Sequence, residues 1–580
     1  MLNEHLAKLL TRPQTRSLSA MTILWFVLSL AYAFYCSYLW TSKAFKNRYV
    51  IQSDARQVVT WLLRFTDPDL FKNDLIANYY LSASTDGFTL LYRAMAEIGV
   101  DPITLSKILP MIIGLAATVY CFALFIQILP VPVGAFISCL LLNQYIWTDD
   151  AVPSATPRAF LYPLFLAFLF YLVRRRFVGT IVTIALQGLF YPPIMFVSAG
   201  VLVLNLIGWD DGRLRFSKDR RDYRLVAAAL AIVVIINSVY ALRHSEFGPT
   251  ITRSEAMRLP VSFAGKRLTF LHNDAFTYWI TDSQSGLYWR SVFPPFGMLA
   301  AFCLPALLLL RRRFPLVSQV TMGIQLLPRV FASAIFMFFA AHLLLFKLYL
   351  PNRYTIHTFP IVFSLAAGLA FTLILDGVLG KADISQGRSA KTREFLAPVT
   401  IILIAAIMFL YPVFLRRFPK RSLEIGHHPD LYRFLSEQPK DSLIASLSLE
   451  ANNLPSFARR SVLAAPHFSN PYQAKYYLEV NQRYADLIEA TYTPDRDQLR
   501  GFINRYGVDF ILLEPDTFTR GYVTDHPVVQ RFQPQVDEIA ARFDAGLTPA
   551  LSDLMKDCAV FESEKFTLVG ADCICSKSQK

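Results

Sequence analysis

The chain has 580 residues and a net charge of +14, and 54% of its residues are hydrophobic while only 17% are charged. Soluble domains carry about 25% charged and roughly 45–50% apolar residues. This composition, with a mean hydropathy of +0.37, argues against a soluble globular protein and excludes a disordered or collagen-like chain, so the surplus apolar residues are expected to face lipid.

Eleven apolar segments are candidates for crossing about 30 Å of hydrocarbon, which takes roughly 20 residues. The two segments around Tyr191-Pro192-Pro193 are short, and a single kinked helix is the alternative there. The first segment is interpreted as a retained membrane helix because its apolar run continues to Trp40, beyond a signal peptide. We therefore expect an α-helical polytopic membrane protein with about eleven transmembrane helices, at 18–40, 103–129, 131–147, 158–173, 178–190, 192–209, 225–242, 293–310, 330–350, 355–379 and 395–415.

Basic residues between these segments predict the orientation. Clusters of Lys and Arg occur at 174–176, 210–224, 311–313 and 381–393, and basic loops stay cytoplasmic. Eleven crossings from a cytoplasmic N-terminus put every cluster inside, whereas merging the two short segments would put some outside. No basic stripe is interleaved with aromatic residues as nucleic-acid recognition requires. The topology prediction is a multi-pass plasma-membrane protein with three extracytoplasmic pieces, residues 41–102, 243–292 and 416–580.

The first outer loop carries a candidate catalytic acid. It reads Ser53-Asp54-Ala55-Arg56-Gln57 shortly after the first span. One interpretation is that Asp54 caps an amphipathic helix. The other is that its carboxylate acts as a general base on an acceptor hydroxyl or amide.

The second outer loop contains two adjacent acids, Asp149 and Asp150, just before Arg158 and the next span. Together with a carboxylate from elsewhere, they can offer oxygen ligands to a hard divalent cation. The alternative is a solvated turn closed by Pro153 and Pro157. The outer end of the ninth span reads Leu350-Pro351-Asn352-Arg353-Tyr354, where Arg353 can bind a lipid phosphate bidentately or anchor the helix at the membrane interface.

The tail beyond Leu415 changes character. Short segments rich in apolar and β-branched residues predict strands, and helical spacing covers 472–491 and 495–506. We therefore divide the chain into a transmembrane unit, 1–415, and a soluble α/β domain, 416–580. The predicted strands are 442–447, 461–465, 509–513, 559–562 and 566–569.

Three of the seven cysteines lie in this tail, on two adjacent predicted strands. In an extracytoplasmic domain, a disulfide from Cys558 to Cys573 or to Cys575 is expected. The cysteines in the spans are interpreted as small apolar residues, and no spacing supports structural zinc.

The order of these parts resembles the GT-C class of membrane glycosyltransferases. The matching features are the early loop acid Asp54, the turn Asp86-Gly87-Phe88-Thr89-Leu90-Leu91-Tyr92, the motif at 350–354 and an outer soluble domain with Tyr506-Gly507-Val508-Asp509-Phe510-Ile511-Leu512-Leu513. The resemblance implies that Asp54 is the catalytic base or orients the acceptor. It implies that Arg353 and Arg158 meet the donor phosphate, and that Asp149 and Asp150 bind Mg²⁺ or Mn²⁺.

The same resemblance implies an activity. A polyprenyl-phosphate or polyprenyl-diphosphate sugar would be the donor, and a lipid, glycan or protein the acceptor, with inverting transfer on the outer membrane face. One departure is that many members pair the first-loop acid with a second acid, whereas Ala55 and Arg56 follow Asp54. Two alternatives stay open: a transporter or flippase of lipid-linked glycans, although matched broken spans are absent from the sequence, and a non-catalytic assembly protein.

Overall fold

The computed structural model describes residues 2–13, 19–210, 213–242, 245–258, 274–287, 295–379, 388–415, 418–419 and 422–577. Parts of the predicted outer loop 243–292 and of the predicted cytoplasmic loop 381–393 lie outside the described residues.

Apolar helices dominate the first 415 residues. Among the described residues, five helices are long and apolar enough to cross a membrane, and six more apolar helices are shorter. Each predicted span falls on one of them, while the number that crosses the bilayer stays a prediction. The long helices are Ala20–Ala44, Pro102–Ile128, Arg220–Leu242, Met322–Leu343 and Pro351–Leu379, and the shorter ones are Pro132–Ile146, Pro157–Val173, Phe177–Phe190, Pro192–Asn205, Phe296–Leu309 and Pro398–Phe414.

Peripheral and central helices differ in what they bury. Helix Arg220–Leu242 exposes apolar side chains, including Val234 at 63% and Ile235 at 61%, a surface suited to lipid tails rather than water. Helix Pro132–Ile146 is instead almost wholly buried. It packs against Thr358–Leu379, where a Cβ on Gly368 would stand 2.8 Å from the Gly134 carbonyl oxygen. Small residues thus let the two backbones approach closely, as is common between membrane helices.

Two predicted spans extend four or more residues beyond the ends of their helices. The sixth span ends at Asn205 instead of Trp209, because residues 207–210 pair with 213–216 in a β-hairpin. The ninth ends at Leu343 instead of Leu350. There the backbone takes positive φ at Phe346 and Tyr349, a conformation that cannot continue a right-handed helix.

Within the described part of the chain, nine strands form three sheets. They are β1 (Val50–Gln52), β2 (Ile207–Asp210), β3 (Arg213–Phe216), β4 (Leu423–Ile425), β5 (Leu443–Ser446), β6 (Ser461–Val462), β7 (Phe510–Leu513), β8 (Ala559–Glu562) and β9 (Thr567–Gly570). The tail sheet has the order β6-β5-β7-β9-β8. Strand β5 is parallel to β6 and β7, and β9 is antiparallel to β7 and β8.

Short helices occur in the first outer loop and alternate with the strands of the tail. The first outer loop contains Ser53–Val58, the 3₁₀ helix Thr60–Phe65, Leu75–Ala83 and Asp86–Glu97. The tail contains Pro429–Glu437, Leu449–Asn452, Leu454–Phe457, Ala474–Tyr492, Arg496–Tyr506, Arg520–Asp525, Val529–Arg531, Gln535–Asp544, Ala550–Met555 and Ala571–Lys577. The remaining short helices among the described residues are Leu2–Leu10, Arg253–Arg258, Thr277–Thr281 and Pro315–Gln319.

The tail packs directly on the first outer loop. Strand β1 pairs antiparallel with β4, and the rings of Tyr79 and Tyr476 stack with centroids 3.6 Å apart. Lys440 Nζ lies 2.7 Å from Asp67 Oδ2 and lowers the pKa of Asp67 below its usual value. One hydrophobic core therefore continues from the membrane helices through the loop into the tail, while the division into two domains at residue 415 stays a prediction.

The tail cysteines occupy other elements than expected. Cys573 and Cys575 lie in the terminal helix Ala571–Lys577 and not on a strand, because the chain turns into a helix after Gly570. The structure joins Cys558 to Cys573, with their Cα atoms 5.5 Å apart. Cys575 is a free thiol whose pKa is raised by burial.

Candidate active site

Asp54 lies in the first turn of helix Ser53–Val58 and is not its N-cap. Gln52 occupies the N-cap, and its side-chain oxygen accepts a 2.9 Å hydrogen bond from the Ala55 N–H. The pairing of β1 with β4 holds the helix start, since Ser53 N also donates to Ser422 O at 2.9 Å. The capping interpretation of Asp54 was therefore wrong, because Gln52 already satisfies that backbone donor.

The Asp54 carboxylate forms an ion pair with Arg158. Arg158 Nη2 donates to Asp54 Oδ2, and the side chains are 20% and 34% exposed, respectively. Arg158 belongs to the 3₁₀ turn Pro157–Phe160 that precedes helix Leu161–Val173. The pair thus joins the first outer loop to the end of a membrane helix, and it leaves Asp54 Oδ1 without a hydrogen-bond donor among the described residues.

Arg353 provides a second guanidinium facing the same space. It lies in the turn Pro351–Tyr354, and its side chain makes no ion pair with a described residue. Lys347 is exposed and makes no ion pair with a described residue, and it belongs to the irregular segment that follows the preceding helix. Both cations therefore follow the helix end at Leu343, and both line the cavity.

A cavity of about 640 Å³ unites these side chains. Its walls come from the first outer loop, the ends of four apolar helices and tail residues 470–473. Tyrosines and prolines supply much of the lining, so the cavity combines apolar faces with a carboxylate and three cations. The lining includes Asp54, Gln57, Tyr79, Tyr80, Arg158, Tyr191, Pro192, Pro193, Asn237, Tyr240, Lys347, Tyr349, Arg353, Tyr354, Pro471 and Tyr472.

The two acids of the second loop lie outside this lining. Asp149 is 2% exposed, and its Oδ2 stands 3.8 Å from His357 Nδ1. Asp150 accepts a hydrogen bond from the Ser422 hydroxyl. Both carboxylates are near enough to Arg158 to interact with its charge. Their negative charges therefore stabilise the positive charge of Arg158.

The described acids do not form the predicted site for a divalent cation. Mg²⁺ and Mn²⁺ favour several oxygen ligands around one point. Within the described ranges, no group of three or more His, Cys, Asp and Glu side chains is placed to hold a metal ion. The carboxylate of Asp54 contacts the guanidinium of Arg158 instead of a second acid. The described carboxylates therefore do not fit the predicted Mg²⁺ or Mn²⁺ ion.

Sequence reasoning missed several lining residues. The sequence shows Gln57 only as part of the loop motif, yet its amide donates to Tyr80 Oη at 2.9 Å and to His467 O at 2.8 Å. His467 Nε2 lies 3.0 Å from Ser53 O. No local sequence signal links residues about 410 positions apart. Lys347, by contrast, is visible in the sequence as a basic residue shortly before Arg353.

No protein-family model and no curated protein matches the sequence. Solved structures do. The chain is similar to the archaeal oligosaccharyltransferase AglB from Archaeoglobus fulgidus in complex with an inhibitory peptide and a dolichol-phosphate, with a TM-score of 0.53 and 12% identity over 90% of this chain and 73% of that one. The same enzyme tethered to an acceptor peptide gives a TM-score of 0.51 and 12% identity, covering 90% and 72%.

ArnT from Cupriavidus metallidurans bound to undecaprenyl phosphate covers 95% of this chain and 97% of its own, at 13% identity and a TM-score of 0.45. These neighbours are GT-C glycosyltransferases. At such identities the likeness shows the fold alone, and the two AglB structures, with TM-scores above 0.5, carry it. With its apolar helices, the chain is a multi-pass membrane protein.

Proposed function

We propose that this protein is an inverting sugar transferase that uses a polyprenyl-phosphate or polyprenyl-diphosphate sugar and works at the outer membrane face. The acceptor is a lipid, a glycan or a protein. The observation that carries the proposal is one cavity, at the ends of membrane helices, that holds a carboxylate, Asp54, together with the guanidinium groups of Arg158 and Arg353. The GT-C fold supports it, since AglB was solved with dolichol-phosphate.

The chemistry assigns each charge a task. An acceptor hydroxyl or amide attacks the anomeric carbon, and the bond from that carbon to the phosphate oxygen breaks with its electron pair going to the phosphate. The Asp54 carboxylate takes the acceptor's proton through Oδ1 while Arg158 holds Oδ2. Arg353 and Lys347 offset the growing negative charge on the leaving phosphate, the kind of fixed electrostatic stabilisation that contributes most in a partly dry site.

Under this proposal, Arg158 orients the catalytic carboxylate instead of binding the donor phosphate directly. It was expected to meet the donor phosphate directly, and it still lines the cavity. Its first contact, however, is the Asp54 carboxylate, with Asp149 and Asp150 nearby to balance its charge. Arg158 thus orients the base, and Arg353 is left as the principal phosphate ligand.

The same cavity favours transfer over transport. A transporter needs its site near the middle of the bilayer, between matching halves that move against each other. Here the charged groups lie where the first outer loop, the helix ends and the tail meet, and the ion pair between Asp54 and Arg158 ties the loop to a helix end.

The experiment is sugar transfer from a panel of radiolabelled polyprenyl-phosphate and polyprenyl-diphosphate sugars by the purified full-length protein. Product formation with at least one donor is expected, and it should fall in an Asp54→Asn variant. The matched control is Asp69→Asn, an exposed carboxylate of the same loop that does not line the cavity. Equal loss in both variants, or donor movement across vesicle membranes without transfer, would count against the proposal.

A further inference from the structure

A second cavity of about 660 Å³ lies in the tail. This volume falls within the roughly 300–1,000 Å³ of ordinary small-molecule sites. It is separate from the cavity around Asp54, and the two share no lining residue. Its lining consists of Arg56, Glu424, His428, Ser448, Leu449, Glu450, Asn452, Asn453, Glu514, Pro515, Asp516, Lys565 and Phe566.

The cavity sits where an open α/β sheet most often binds ligands. Residues 448–450 follow β5 and residues 514–516 follow β7, so both loops leave the carboxyl edge of parallel strands. In the sheet, β6 lies on one side of β5 and β7 lies on the other side. The chain therefore runs from β5 to β6 and then crosses back to β7. Connections that depart in opposite directions open a crevice between them, and ligands occupy that crevice.

The polar groups of the crevice are held in place by hydroxyl donors. Tyr432 Oη donates to Glu450 Oε1 at 2.6 Å, and Tyr522 Oη donates to Glu514 Oε2 at 2.6 Å. Ser448 Oγ donates to Glu514 Oε1 at 2.9 Å. These carboxylates already accept hydrogen bonds from hydroxyl groups, and a fixed carboxylate can accept more from a ligand.

The charge balance selects the class of ligand. Four carboxylates face the cavity, against two permanent cations, Arg56 and Lys565. This surplus of negative charge opposes phosphates and other anions. A metal ion is also disfavoured, since the described carboxylates nowhere gather in a group of three suited to one.

The remaining features suit a sugar. Two asparagine amides, a serine hydroxyl and the carboxylates offer both donors and acceptors, as neighbouring sugar hydroxyls require. The buried ring of Phe566, packed edge-on with His428 at 4.7 Å between centroids, gives one apolar wall. We propose that the tail cavity binds a neutral polyhydroxylated ligand, a sugar residue.

The two cavities share a helix as a common wall. Asp54 and Arg56 stand two positions apart on Ser53–Val58, and at 3.6 residues per turn they point to nearly opposite sides. Arg56 is 7% exposed, and its Nη1 donates to Asn453 Oδ1 at 2.5 Å. If the proposed transferase function holds, the sugar in the tail cavity is part of the acceptor; the binding site itself does not rest on that function.

The test is saturation-transfer NMR on the full-length protein in detergent, without donor. The probes are methyl α-glucoside, methyl α-mannoside and methyl α-galactoside, and titration calorimetry with inorganic phosphate and calcium chloride runs beside them. The variant is Asp516→Ala with Lys565→Ala, two exposed lining residues whose loss should not unfold the tail. The matched control is Asp553→Ala with Lys556→Ala, an exposed pair outside the cavity.

At least one glycoside should bind the wild type and the control pair alike. The lining variant should bind it at least about tenfold more weakly, a change of about 1.4 kcal/mol. The proposal is overturned if no glycoside gives a signal, if the lining variant binds as well as the control, or if phosphate or calcium binds and is lost in the lining variant. Because no transfer is measured, failure here is distinguishable from failure of the proposed function.

Discussion

Arg158 and Asp54, separated by 104 positions in the sequence, form an ion pair that connects the start of a membrane helix to the first outer loop. The contact fixes one oxygen of a carboxylate whose side chain lines the cavity. A guanidinium that holds a carboxylate in this way determines where the proton acceptor points. The pair therefore joins the proposed base to a second charged residue of the cavity lining.

The first prediction concerns this pair. Asp54→Asn and Arg158→Gln should each lower transfer, and the double variant should be little worse than the worse single variant. Groups in direct contact typically couple by about 0.5–3 kcal/mol. The measurement is a double-mutant cycle on kcat/KM for the donor. Strictly additive losses would mean that the two side chains act separately.

The second prediction concerns Arg353. Because a guanidinium has a planar fork that an ammonium lacks, Arg353→Lys should weaken donor use more than it affects folding. A rise in the KM for the donor with an unchanged melting temperature is expected. Arg433→Lys, an exposed arginine of a tail helix, serves as the control. If Arg353→Lys reacts at the wild-type rate at all donor concentrations, Arg353 does not bind the phosphate and only anchors the chain at the membrane interface.

The third prediction concerns Asp74 and pH. Burial raises the pKa of Asp74, while its carboxylate caps helix Leu75–Ala83 by accepting from Ala77 N at 2.8 Å. A raised folded-state pKa means that the folded protein holds the proton more tightly than the unfolded chain. Stability from this group is therefore present at low pH and is lost as pH rises from about 3.9, the unfolded value, through the raised pKa.

Asp74→Asn keeps the capping oxygen but cannot ionise. As pH rises through this range, the melting temperature of the wild type should therefore fall relative to that of the variant. At neutral pH the variant should melt no lower than the wild type. Asp74→Ala, which loses the cap, should cost about 1 kcal/mol. A flat difference curve for Asp74→Asn would show that the buried carboxyl does not titrate as inferred.

The fourth prediction concerns orientation. The basic clusters and an odd number of crossings predict that the tail is extracytoplasmic, and the bond between Cys558 and Cys573 fits an oxidising compartment. An alkaline phosphatase fusion at the C-terminus should be active, and a fusion at Arg312 should be inactive. A tail reporter active only in the cytoplasm would reverse the orientation and place Asp54 inside as well.

Local patterns predicted most of the helices. Long apolar runs are visible in composition, so all eleven predicted segments fall on apolar helices. The five strands of the tail sheet likewise overlap the predicted segments, whereas β4 was not predicted. Helix ends were harder, because the end at Leu343 depends on positive φ at Phe346 and Tyr349, which apolar composition does not reveal.

The site could be predicted only in part. Asp54, Arg158 and Arg353 were singled out one by one, and all three line one cavity. Their partners could not be read from the sequence. Ser53 and Asp54 are better capping residues by statistics than Gln52, yet tertiary pairing of β1 with β4 placed Gln52 at the cap.

Transfer by an Asp54→Asn variant tests the central claim most directly. Asparagine keeps the size of the side chain but removes the proton acceptor, and Gln52 still caps the helix. Loss of a general base typically costs about 10²–10⁴ in rate, so the variant should purify with a normal melting profile and turn over at least about a hundredfold more slowly. A well-folded variant that keeps more than about a tenth of wild-type activity, above what loss of a general base allows, would contradict the assignment of Asp54 as the base.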